Sequence, residues 1–130
     1  MNEHAVLSNF CAQIGGNRFL VQGGGGNASW KYDDVLWIKA SGTKLRDALA
    51  KDIFVPVDLR GVQNAVRDGN FDLEISSLNN KTARPSIETL LHAIIPKKFV
   101  LHLHAVEALV HLIDEHAFHR LHKIMPDGIN

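Results

Sequence analysis

The chain has 130 residues, 45% of them apolar and 22% charged, enough for one ordinary domain that closes a hydrophobic core without disulfide or metal staples. Fourteen Lys and Arg balance fourteen Asp and Glu, a formal net charge of zero, without the basic excess expected for nucleic-acid binding or the acidic excess of a solvated tail. No apolar run reaches membrane-spanning length, Met1 to His4 lack the basic start of a secretory signal, and the single Cys11 precludes an intrachain disulfide and suits a reducing, cytoplasmic location.

Ala5, Val6, Phe10 and Ile14 fall at helical spacing and predict an opening helix over 4–14. Gly15 and Gly16 would stop it. Residues 19–21 predict a brief strand leading into the glycine run 23–26. Segments 28–32 and 35–39, aromatic-rich and alternating around Asp33 and Asp34, predict a β-hairpin. A helix over 44–50 and a strand over 53–57 follow. Pro56 has no ladder donor, which assigns that strand to an edge. Residues 59–67 predict a helix and 71–84 an irregular loop. The segment 86–95 predicts a helix with Pro85 near its start, Glu88 in its first turn and Pro96 ending it. A strand over 99–104 then enters one long helix over 105–124, with Val106, Leu109, Val110, Ile113, Ala117 and Leu121 along its apolar side. The pattern is that of a single α/β domain with a mixed or antiparallel sheet.

Three features carry chemistry. His102 and His104 are at i and i+2, so a strand would turn both imidazoles to one face and offer two ligands to zinc or a similar divalent ion. Glu88 and His92 are at i and i+4 on a helix, hence on one face. Their structural reading is a helix-capping carboxylate and a solvated histidine, and their functional reading makes Glu88 a general acid/base beside a metal. The glycine run ahead of Asn27 exposes backbone N–H groups to an anion such as phosphate, and Ser41, Gly42 and Thr43 can add a hydroxyl and another amide. Gly23, Gly25 and Ala28 also spell a dinucleotide fingerprint, but that pattern must open a helix, and the segment after it reads as a strand. No P-loop lysine follows the glycines.

Four strings in one order, Gly26-Asn27-Ala28-Ser29, Ala40-Ser41-Gly42-Thr43, Pro85-Ser86-Ile87-Glu88 and His102-Leu103-His104-Ala105, resemble the class II aldolase/adducin family from about residue 20 to about residue 111. Longer strings around residues 36–43 and 84–92 resemble a bacterial branch of class II aldolase-like proteins. The resemblance implies α/β/α layers around a central, mainly antiparallel sheet, and usually a homotetramer. It implies cleavage of a carbon–carbon bond in a phosphorylated ketose to give dihydroxyacetone phosphate and an aldehyde. Residue by residue, His102 and His104 match two zinc ligands and Glu88 the acid/base. Asn27, with the backbone of Gly24 and Gly26 and with Ser41, Gly42 and Ser86, matches the phosphate loop.

The chain departs from the family pattern twice. Ile87 stands where a second serine usually precedes the glutamate. The family's third histidine ligand lies on a later strand, whereas here one predicted helix follows His104. Of the remaining histidines, His111 is expected partly buried on its helix, and His116, His119 and His122 on a solvated face. The expectation is a domain lacking its C-terminal part, although a naturally short homologue or one completed by a partner chain fits equally. Two other functions compete with the lyase: a non-catalytic adducin-like binding module, or a family epimerase or dehydratase. In a truncated domain, a bound metal would be structural or adventitious.

Overall fold

In a computed structural model of the chain, residues 3–79 and 82–124 are described. Helix α1 (Glu3–Gly15) precedes the hairpin β1 (Asn27–Tyr32) and β2 (Val35–Lys39). Then come β3 (Phe54–Asp58), α2 (Leu59–Arg67), α3 (Thr89–Ile94), β4 (Phe99–His102), α4 (Val106–Leu112) and α5 (Ala117–Ile124). The four strands form one sheet in the order β3-β2-β1-β4, and every neighbouring pair is antiparallel. Pro56 lies on the edge strand β3, as its missing N–H requires.

Alternation along the strands divides the core in two. Ala28, Trp30 and Phe54 face α1 and pack with Leu7, Cys11, Ile14 and Leu45. Trp30 stacks on its cross-strand partner Trp37 at 5.3 Å and meets the edge of Phe54 at 5.0 Å. The opposite face presents Leu36, Ile38, Val55 and Val57 to Leu59 and Val62 of α2 and Ala93 of α3. Helices therefore cover both faces of an antiparallel sheet, the expected α/β/α layering. Gly15 ends α1 where it crosses the backbone of residues 45 and 46. A Cβ there would lie 2.3 Å from the Arg46 nitrogen, so the close approach needs glycine.

Several local expectations gave way to side-chain competition. The strand expected over 19–21 is a turn, because Asn17 Oδ1 accepts from Phe19 N at 2.9 Å while Asn17 O accepts from Leu20 and Val21. The helix expected over 44–50 shrinks to a 3-10 turn over Leu45–Asp47. Seven residues barely repay helix nucleation. Helix α3 begins at Thr89 rather than 86, leaving Glu88 at its N-cap. Ser86 is held outside it, receiving bonds from Asn27 Nδ2 at 2.5 Å and Glu88 N at 3.3 Å.

The long C-terminal helix is broken. Asp114 accepts from His116 N through Oδ1 at 2.8 Å and from Ala117 N through its carbonyl at 2.9 Å, and so starts α5. Among the described residues α4 buries none of its own. Val106, Leu109, Val110 and Ile113 are exposed, contrary to the expected apolar seam, and so is His111. Ala117 is buried, and His116, His119 and His122 are exposed as expected. The loop 71–84 is irregular over its described residues. No helix among the described residues is long and apolar enough to cross a membrane.

Candidate functional site

The register of β1 on β4 pairs Asn27 with His102. Both residues, with Ser29 two positions along β1, lie on the sheet face covered by α3. From the N-cap of that helix, Glu88 Oε2 reaches His102 Nδ1 at 2.7 Å. Residues separated by 75 positions in sequence thus meet at one end of the sheet.

The β4 ladder ends at His102, so His104 is not carried there by strand alternation. The chain after it is held instead by loop contacts. His104 N donates to Leu20 O at 2.9 Å, Val106 N to Phe19 O at 2.8 Å, and Gln22 Nε2 to His104 O at 3.1 Å. The two imidazoles still adjoin, 5.0 Å between ring centres and edge to face. The His104 ring lies against Gly25, where a Cβ would come within 2.7 Å of its Nδ1. The glycine run therefore makes room for a candidate ligand.

Gly24, Gly26, Asn27, Ser41, Gly42, Ser86, Glu88 and His104 line a cavity of about 200 Å³. Gly26 and Gly42 have φ of 76° and 77°, a region that favours glycine. Ile87, 93% exposed, also borders the cavity. A larger cavity of about 570 Å³, between the loop 71–77 and residues 82–87, shares Ser86 and Ile87 with it. The small cavity lies below the usual size of a ligand pocket and has room for a single group of a larger ligand. The glycine run leads into β1 and not into a helix, which removes the dinucleotide fingerprint.

One participant escaped the sequence reading, and a second was expected in solvent. Lys39 lines the small cavity and is almost fully buried. Its ammonium donates to Thr43 O at 2.9 Å. Burial pulls its pKa down, and the charge of Glu88 partly restores it. Only its place at the end of an apolar strand signals this. His92, expected in solvent, is 0% exposed. Its Nδ1 meets Ser29 Oγ at 2.7 Å, and its Nε2 faces Glu88 Oε2 at 3.5 Å with no hydrogen-bond partner.

Glu88 is drawn two ways. Burial pushes its carboxyl up, but hydrogen bonding and charge at His102, a hydrogen bond from Asn27 and charge at His92 outweigh that and hold it below its ordinary value. Burial lowers His92 from its ordinary 6.5, opposed by Glu88. Both shifts have the same consequence. The unfolded chain binds more protons than the folded one as pH falls below 6.5 for His92, and below the ordinary carboxylate value for Glu88, so stability falls on acidification. Thermal unfolding at pH 7.5 and 5.5 should give a lower Tm at pH 5.5. His92→Gln should make that difference smaller, and an equal difference in both proteins would remove His92 as its source.

As a metal centre the arrangement is partial. Among the described residues no three His, Cys, Asp or Glu side chains stand together to hold an ion. His102 and His104 nevertheless fit as two of its ligands. Glu88 engages Nδ1 of His102 and leaves Nε2 as the donor, the usual way in which a carboxylate orients a ligating imidazole. A catalytic zinc site needs a third protein ligand.

The sequence matches the Class II Aldolase and Adducin N-terminal domain family over residues 6–126. It is 36% identical over 107 residues to the uncharacterized oxidoreductase YuxG of Bacillus subtilis (strain 168), a match that takes in 70% of this chain and 15% of that protein. The fold resembles the N-terminal class II aldolase domain of a conserved protein from Thermoplasma acidophilum, with a TM-score of 0.80 and 29% identity. That likeness covers 95% of this chain and 65% of the solved one. The chain thus spans less than two thirds of either relative, and it belongs to the class II aldolase and adducin family.

Proposed function

We propose that this domain is part of a zinc-dependent, aldolase-like lyase that cleaves a carbon–carbon bond in a phosphorylated ketose. The observation that supports this reading best is the meeting of Glu88 with His102 at 2.7 Å beside a cavity lined by the glycine run, Asn27, Ser41 and Ser86. A carboxylate, two imidazoles and an anion-sized, amide-lined recess are the elements that proton transfer next to a held phosphate requires.

In this reading the amides of Gly24, Gly26 and Gly42, the Ser41 and Ser86 hydroxyls and the Asn27 amide hold the phosphate, and Lys39 adds a positive charge. Glu88, ionised at neutral pH, accepts a proton from the substrate and returns it to the product. A bound divalent ion would supply the Lewis acidity that stabilises an enediolate. His102 and His104 would hold it together with a third ligand from outside the described residues, contributed by further chain or by another copy in a homo-oligomer. Ile87 in place of a second hydroxyl directs the recess toward fewer phosphate bonds and an apolar contact with the substrate.

An epimerase or dehydratase would use the same groups, and the substrate screen separates them by product. The word oxidoreductase in the Bacillus relative's name gains no support from the glycine run, which opens a strand. Retained metal-type histidines weigh against an adducin-like, purely binding role.

The test is zinc or cobalt titration of the wild-type chain and of His102→Ala and His104→Ala, with a ketose-phosphate cleavage assay. Each alanine variant should lose about a hundredfold or more in metal affinity. No metal uptake by the wild-type chain, or uptake unchanged in both variants, would overturn the reading.

A further inference from the structure

His92 is the one fully buried histidine described on the sheet face that carries Glu88 and His102. A histidine that merely fills a core satisfies both ring nitrogens within that core or with water. Here one nitrogen meets a buried strand hydroxyl and the other is turned to the Glu88 carboxylate, without a hydrogen bond of good geometry. The backbone fixes the spacing, since His92 N donates to Glu88 O at 3.0 Å, one helical turn away.

The chemistry of the ring decides its orientation. If Ser29 Oγ donates to Nδ1, the single proton of the neutral imidazole resides on Nε2 and points at the carboxylate. The opposite tautomer would set a nitrogen lone pair against a carboxylate oxygen, which is repulsive. Ser29 is itself fully buried on β1, so the ring is anchored to the middle of the sheet rather than to a mobile surface.

We propose that His92 is a positioning residue for Glu88: pinned by Ser29, it presents Nε2–H to Oε2 and keeps the carboxylate turned toward His102. The inference rests on the reading of Glu88 as the group that moves the proton. Glu88 is then held between two imidazoles that share one of its oxygens, His102 at 2.7 Å and His92 at 3.5 Å. Neither imidazole engages the other oxygen. His92 touches neither metal nor substrate; it acts through the carboxylate.

The experiment has a spectroscopic arm and a kinetic arm. Long-range proton–nitrogen correlation spectra of the full nitrogen-15-labelled chain at pH 7.5 should show His92 as the Nε2–H tautomer. Glu88→Gln should move its Nε2 resonance, and Ser29→Ala should move Nδ1 and release the tautomer preference. An Nδ1–H tautomer in the wild type, or an Nε2 resonance unmoved by Glu88→Gln, overturns the proposal. In the metal-loaded enzyme His92→Gln should lower kcat about tenfold to a hundredfold at nearly constant KM, and an unchanged kcat also overturns it. If His92→Gln fails to fold, Ser29→Ala, which leaves the ring in place, is read in both arms by the same criteria. A wild-type chain that binds metal and shows the coupled resonances but cleaves no ketose phosphate sinks the lyase reading while leaving the Ser29–His92–Glu88 arrangement established.

Discussion

Glu88→Gln is expected to abolish turnover of a ketose phosphate, a loss of about 10²- to 10⁴-fold in kcat, the usual contribution of a positioned acid/base. Metal content and Tm should change little. The amide oxygen of glutamine can still accept from His102 Nδ1, so the imaging of that ring toward a metal survives; what disappears is the ability to take up and return a proton. The geometry makes the distinction sharp, because the carboxylate's short contact is to an imidazole at 2.7 Å. Zinc binding by the variant, followed by titration, and single-turnover kinetics measure the two effects separately. Loss of zinc together with activity would make Glu88 a ligand, and full activity would remove it from the chemistry.

Phe54→Ala should be the most damaging core change, at about 3–5 kcal/mol of unfolding free energy. The ring is fully buried on the edge strand β3, held edge-on by Trp30 at 5.0 Å and approached by the His4 ring at 5.9 Å. It therefore fixes both α1 and the stacked tryptophans to the sheet. A strand holds its Cα in place, so the neighbours cannot collapse into the space and a cavity remains. Urea unfolding followed by tryptophan fluorescence reads the loss directly, because Trp30 borders the deleted ring. A cost below about 1 kcal/mol would mean that α1 repacks freely. The site should keep its local arrangement in molecules that remain folded, since Glu88, His92 and His102 lie on the opposite face.

Much of this was legible along the chain. Apolar alternation placed the hairpin and β3, Pro56 placed β3 at an edge, and the His-x-His and Pro-Ser-Ile-Glu strings marked the residues now found within one small region. Those signals are local, repeating every two or four residues, and survive without knowledge of what packs where. Two of the failures were local in cause and the third was tertiary. Asn17 captured backbone donors where a strand was expected, Asp114 interrupted a helix by capping the next one, and Ser86 was drawn out of α3 by Asn27.

The candidate groups, their order and an α/β class with a mixed or antiparallel sheet were legible in the amino acids alone, because residue chemistry and periodicity need no partner. Proximity required the folded chain. Only the pairing of Asn27 with His102 brings β1 beside β4 and sets Glu88 over both, and no local pattern encodes a register between strands 75 residues apart. The same is true of burial. His92 and Lys39 carry polar groups that sequence statistics assign to solvent, and it is the closing of α3 and the strand ends over them that makes one a buried neighbour of Glu88 and the other a charge in the wall of the small cavity.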